Sequence, residues 1–129
     1  MLVDTNEGKF HVGERWSFHS RDGEENATLT VVKVESSPKM GTIVHVSLEG
    51  LRIRSAHAPN GITETVSHMP FAEAAIETSV TRLLAKHAPL PSFEEGYQLW
   101  RAAFDQAKAG FFTGTVAEAI DFIENAVQG

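Results

Sequence analysis

Hydrophobic and polar residues alternate between positions 13 and 54, and this pattern predicts three consecutive antiparallel strands. Successive side chains of a strand point to opposite faces of a sheet, so alternation indicates a strand with one buried face. Trp16 and Phe18 alternate with polar residues in the first segment, and Val44, Val46 and Leu48 do so in the third. The polar segment 21–26 separates the first two strands, and a loop at 36–41 separates the second from the third.

Two breaks interrupt the alternation. Val31 and Val32 are adjacent in the second strand, at about residues 27 to 35, so apolar side chains fall on both of its faces. Either a β-bulge shifts the phase there, or the strand is covered on both sides. At Gly50 the apolar positions move by one residue, which is typical of a bulge or a sharp bend. We therefore expect the meander to curl, toward a half-barrel, and the β-branched segment 62–66 to add a fourth strand.

Three helical patterns follow the strands. The first begins near Pro70, a residue favoured in a first helical turn, and continues along an apolar stripe with steps of three and four residues. That stripe comprises Ala72, Ile76, Val80, Leu83, Leu84 and His87. The second helix begins at a capping box formed by Ser92 and Glu95, and we expect it to end at Gly110. Its aromatic stripe comprises Phe93, Tyr97, Trp100 and Phe104.

The last helix begins at a second capping box, from Thr115 to Glu118. We expect one face of it to be buried, with Val116, Ala119, Ile120, Ile123 and Val127. The opposite face is expected to meet water through Glu118, Asp121 and Glu124.

The expected fold is thus α+β, with a curled antiparallel meander of three to four strands covered by three C-terminal helices. A chain of 129 residues is typical of a single domain, here 1–129. Residues 1–9 are mainly polar and are expected to form a flexible tail.

The composition excludes several classes of function. The net charge is −6, from 17 acidic and 11 basic residues, and residues 61–129 hold nine acids against four bases. An acidic chain repels phosphate, so we expect no nucleic-acid partner. The absence of cysteine excludes disulfides and a thiol nucleophile and suits the cytoplasm. No signal peptide or long apolar run is present, and we therefore expect a soluble protein with no membrane partner.

The six histidines are the first candidates for metal or acid–base chemistry. Their spacing matches none of the usual helix or strand motifs for metal ligands. A site assembled in space from His57, His68 and Glu64 is one interpretation, and ordinary loop histidines are the interpretation that we favour. We predict no metal and no cofactor.

The polar face of the third strand is the second candidate. His45, Ser47 and Glu49 lie at two-residue spacing, followed by Arg52 and Arg54. In a functional interpretation His45 is a general base oriented by Glu49, and the arginines bind an anion. In the alternative, which we favour, these residues form the solvated side of a sheet with cross-strand charge pairs.

Three functions follow from these patterns. The first is a non-enzymatic module that binds another protein or a second copy of itself, since the central strand is apolar on both faces. The second is a small-molecule binding domain whose ligand lies between the sheet and the aromatic helix, with Arg52, Arg54, Tyr97 and Trp100 as candidate ligand-binding residues. The third is a small hydrolase or isomerase that uses His45 or His57 with Glu49 or Glu64.

Overall fold

The computed structural model describes residues 2–128. Its strands are β1 (Val3–Asp4), β2 (Arg15–Phe18), β3 (Thr28–Ser37), β4 (Gly41–Glu49), β5 (Ile53–Arg54), β6 (Ile62–Thr63), β7 (Val66–Ala72) and β8 (Val80–Ala85). Its helices are α1 (Glu73–Ser79), α2 (Glu94–Asp105) and α3 (Val116–Gln128). No helix within residues 2–128 is long and apolar enough to cross a bilayer.

The predicted meander forms the middle of an open six-stranded antiparallel sheet. Its strands are arranged in the order β7-β4-β3-β2-β8, and β1 pairs with the free part of β3. Strands β5 and β6 form a separate two-stranded sheet. The α+β class is confirmed, but the sheet contains more strands than the three or four that we expected and it does not close.

Strand β3 shows both features that the sequence left as alternatives. Its pairing with β4 shifts register between Val31 and Lys33, which confirms a bulge at this place. After the bulge, the adjacent residues Val34 and Glu35 point to opposite faces and are both buried, so the strand is also covered on both faces. After the bulge, Lys33 and Glu35 lie on the same face as His45 of β4.

The prediction of a helix from Pro70 to His87 is wrong for most of this segment. Pro70 lies in β7, α1 spans only Glu73–Ser79, and residues 80–85 form the edge strand β8 beside β2. The three- and four-residue spacing of Val80, Leu83 and Leu84 suits a helix, but tertiary pairing with β2 outweighs this local preference. β-branched residues at 80 and 81 also favour the extended backbone.

The ends of the other two helices differ in how well they were predicted. In α3 the capping box is confirmed, because the Glu118 amide donates to Thr115 Oγ1 at 3.2 Å and the Thr115 amide donates to Glu118 Oε1 at 2.9 Å. In α2 no side chain caps the N-terminus, and the helix ends at Asp105 instead of near Gly110. The left-handed residue after it is Ala107, with φ of 59°.

The helices cover both faces of the sheet. Val44 and Val46 join Ile76 of α1 and Ile120 of α3 in one apolar core. His45 points to the opposite face, where it contacts the aromatic residues of α2. We expected that face to be solvated, and this prediction is wrong because α2 covers it and buries His45 completely.

The segment expected as a flexible tail contributes to the fold within residues 2–9. Leu2 is buried, and Val3–Asp4 pair with residues 35 and 36 of β3. Lys9 binds Glu77 of α1. This segment therefore contacts both β3 and α1.

Candidate functional site

A chain of ionisable side chains crosses the sheet beneath α2. His45 Nε2 lies 2.8 Å from Glu35 Oε1, and His45 Nδ1 lies 2.8 Å from His68 Nε2. Glu35 and His45 are almost completely buried, whereas His68 is half-buried. The chain therefore leads from a carboxylate in the interior to an imidazole near the surface.

Helix α2 completes this network from above. The hydroxyl of Tyr97 donates to Glu35 Oε2 at 2.7 Å, and Arg101 Nη1 donates to the same oxygen at 2.9 Å. The Trp100 ring lies edge-on to His45, with the ring centroids 4.9 Å apart. Both oxygens of Glu35 thus accept hydrogen bonds from charged or polar partners, which is the requirement for keeping a buried carboxylate ionised.

Local sequence features bring these groups together. The bulge in β3 places Glu35 on the α2 face, and the spacing of four residues places Tyr97 and Arg101 on one side of α2. Gly96 allows the helix to approach β7, because a Cβ atom there would lie 3.1 Å from His68 Cβ.

Burial and hydrogen bonding shift the pKa values of this cluster. Burial raises the pKa of Glu35, but the hydrogen bonds from His45 and Tyr97 outweigh it, so the pKa is lowered overall. Burial, followed by charge on the neighbouring His45, lowers the pKa of His68 to about 4. Burial and the bond to Glu35 raise the pKa of Tyr97 to about 12. At neutral pH, Glu35 is ionised, and His68 and Tyr97 are uncharged.

The proton positions follow from these charges. An ionised Glu35 can only accept, so His45 carries a proton on Nε2. The contact between the two imidazoles needs one further proton, which either His68 Nε2 donates to His45 or a charged His45 donates to His68. His68 Nδ1 makes no hydrogen bond in the described part of the chain, where no buried polar side-chain atom lacks a partner, so this atom reaches solvent.

This arrangement fixes the orientation of His45 but leaves no room for a substrate next to it. The rings of Tyr97 and Trp100 lie 5.2 and 4.9 Å from His45 and occupy the space between helix and sheet. The space directly over His45 is therefore filled by side chains, and a ligand site elsewhere between α2 and the sheet stays a prediction.

The other predicted catalytic residues lie apart from this network. Glu49 is half-buried at the end of β4, and His57 and Glu64 are exposed on either side of β6. Among the described residues no hydrogen bond joins His45 or His57 to Glu49 or Glu64, and no group of three or more potential ligands is arranged to hold a metal.

Arg52 and Arg54 line a groove of about 430 Å³ beside α3. Arg21 also lines it, and three acids balance these three arginines: Asp22, Asp121 and Glu124. Glu124 was expected to face water, but it is buried and accepts a hydrogen bond from the Arg54 amide at 2.7 Å. This groove has no excess of positive charge with which to bind an anion.

A second groove, lined by both apolar and polar residues, lies on the other side of α3. It has a volume of about 330 Å³ and lies between the extended segment 111–115 and the residues Glu118, Ala119 and Phe122 of α3. Phe122 is 64% exposed, and its ring lies edge-on to Phe112, with the ring centroids 6.0 Å apart. This site, formed by residues 111–115 with Glu118, Ala119 and Phe122, is the Phe122 groove.

Comparisons with known proteins identify no relative of this chain. The chain matches no protein-family model, no curated protein and no solved structure.

Three residues of these sites were not predicted from the sequence, although each carries a recognisable signal. Glu35 is an acid inside an otherwise apolar strand, and Arg101 lies one turn after Tyr97 on the aromatic helix. Phe122 is an aromatic residue on the face of α3 that was expected to be acidic. It lies between Asp121 and Glu124 in the sequence and one helical turn after Glu118.

Proposed function

We propose that this protein is a non-enzymatic cytoplasmic module that binds another protein. The observation that carries the proposal is the Phe122 groove, where a large aromatic side chain is mostly exposed beside a preformed cleft that contains two further phenylalanines. Exposed aromatic residues next to a cleft are frequent anchor sites of protein interfaces. The cytoplasm is the proposed compartment because the chain has no cysteine that an oxidising environment would pair.

The burial of His45 and Glu35 argues against a catalytic role for these two residues. Catalysis requires a general base within hydrogen-bond reach of a substrate proton. His45 and Glu35 lie behind α2, with their hydrogen-bonding atoms already bound to one another and to Tyr97. These groups hold α2 on the sheet.

A partner different from this chain is favoured over a second copy. Two copies related by a two-fold axis through the groove would bring the same acidic residues together, because such an interface is self-complementary. Glu118 lies beside Phe122 on the exposed side of α3, and like charges in an interface oppose association. Nucleic acid is disfavoured for the same reason.

Affinity recovery followed by reconstitution tests the proposal. The purified protein is immobilised, proteins retained from a lysate of its source organism are identified, and each is then produced recombinantly. Isothermal titration calorimetry should detect an equimolar complex with a Kd of about 1 µM or tighter for at least one of them. Analytical ultracentrifugation of the free protein should show a monomer.

Two outcomes would overturn the proposal. The first is a set of recovered proteins none of which binds in calorimetry. The second is a stable dimer in ultracentrifugation that Phe122→Ser converts to monomer, because the groove would then be occupied by a second copy.

A further inference from the structure

We infer that the Phe122 groove receives a large apolar side chain that is flanked by a lysine or an arginine, supplied by an exposed segment of the partner. This inference rests on the proposed function and adds the chemistry of the partner. Three properties of the groove support it: its size, its rigidity and its charge.

The size suits a single anchoring side chain. The cleft of about 330 Å³ lies at the lower end of the range for ligand pockets, which is about 300 to 1,000 Å³. Its apolar residues are Phe111, Phe112, Ala119 and Phe122. An aliphatic or aromatic side chain can therefore be desolvated there against phenylalanine rings, while the chain that carries it stays on the surface.

The walls of the groove are held in place before any partner binds. Phe112 pairs in parallel with the free edge of β7, because its amide donates to the Pro70 carbonyl at 3.0 Å and its carbonyl accepts from the Ala72 amide at 2.8 Å. The amide of Val116 donates to the buried Ser79 Oγ at 3.0 Å, which fixes the start of α3. A preformed cleft reduces the ordering cost of binding.

The negative charge at the rim of the Phe122 groove favours a partner segment with a basic residue beside its apolar anchor. Glu118 lines the groove and is fully exposed. The amide and hydroxyl of Thr115 lower the pKa of Glu118, so its carboxylate is ionised. Only Oε1 accepts a hydrogen bond within residues 2–128, which leaves Oε2 for a partner. Among the residues that the structure describes, no basic side chain lines the cleft. A partner cation beside the apolar anchor would therefore pair with Glu118.

A phage-displayed library of random short peptides, selected on the intact protein, tests this inference. The selected peptides should share a large aliphatic or aromatic residue with a Lys or Arg within one helical turn of it. In two-dimensional NMR spectra, a synthetic peptide of that sequence should shift the amide signals of residues 111–122.

Two pairs of variants provide the controls. Phe122→Ser should weaken peptide binding by at least about tenfold, as expected for an anchor residue, whereas Leu99→Ser, a change at a residue that is 70% exposed on α2, should not. Glu118→Gln retains a capping residue and should weaken binding about threefold at low salt, with the difference lost at high salt. Glu94→Gln on α2 is its control.

Failure of this inference is distinguishable from failure of the proposed function. If the reconstituted partner binds but Phe122→Ser and Glu118→Gln leave its affinity unchanged, the groove is not the site although the function stands. If the selected peptides carry acidic flanks, the charge argument is refuted. If no peptide is selected and no partner binds, both proposals fail.

Discussion

His68 is expected to make the fold sensitive to acid. Its folded pKa is about 4, whereas an unperturbed histidine, as in the unfolded chain, has a pKa of 6.5. Between these two values the unfolded chain binds a proton that the folded protein does not. The stability that depends on a neutral His68 is therefore fully present above pH 6.5 and is lost as the pH falls toward 4. A difference of 2.5 pKa units corresponds to roughly 3 kcal/mol, and partial exposure of His68 reduces this to roughly 2 to 3 kcal/mol.

The variant His68→Gln isolates this effect. Its amide can still donate to His45 Nδ1, but it does not titrate. Urea unfolding followed by circular dichroism at several pH values between 7 and 4 gives the free energy of unfolding of each protein. From pH 7 to pH 4 the wild type should lose roughly 2 to 3 kcal/mol more than the variant. His57→Gln, at an exposed loop position, should follow the wild-type curve. Parallel curves for the wild type and His68→Gln would refute the reasoning.

Two further changes test other contacts of the fold by the same unfolding measurement. Tyr97→Phe removes one donor to the buried Glu35 and should destabilise by about 2 kcal/mol, as for other hydrogen bonds to charged groups; an effect below about 0.5 kcal/mol would contradict this. Gly50→Ala should cost about 2 kcal/mol, because φ is 77° and the new Cβ would lie 3.0 Å from Ala27 Cα. Gly61→Ala, with φ of 74° and no atom within 4 Å, should cost about half as much, and equal losses would show that the contact is unimportant.

The parts of the fold that the sequence predicted are those that depend on short-range patterns. Alternation located β2 and β4 because one face of each strand is apolar. The capping box located the start of α3 because Thr115 and Glu118 satisfy each other's amides within four residues. Both signals act between neighbours in the chain and need no knowledge of the rest of the fold.

The parts that could not be predicted depend on distant contacts. Residues 80–85 form a strand because β2 is available as a partner more than sixty residues earlier, and no local pattern records that pairing. The polar face of β4 is buried because α2 returns to cover it and supplies Tyr97 and Arg101 as partners for Glu35. The alternating residues His45, Ser47 and Glu49 give the same sequence pattern whether their face of the sheet is solvated or covered by a helix that supplies polar partners.

Different interactions hold the two long helices, and this difference predicts how acid acts on them. Helix α3 buries Val116, Ala119 and Ile120 in the apolar core, whereas Tyr97 is the buried residue of α2. The attachment of α2 depends on an ionised Glu35. Helix α3 also uses an ionised carboxylate, Glu124, whose pKa is lowered by the Arg54 amide, but its apolar contacts do not depend on pH and remain when Glu124 is protonated.

Native-state hydrogen exchange should therefore show that α2 amides lose protection before those of α3 as the pH is lowered. The intrinsic pH dependence of exchange is removed by comparing opening free energies. If the opening free energies of the two helices fall together at every pH, the network does not determine how firmly α2 is held. If α2 opens first, the Phe122 groove persists in that state, because its walls are built from α3 and the segment 111–115.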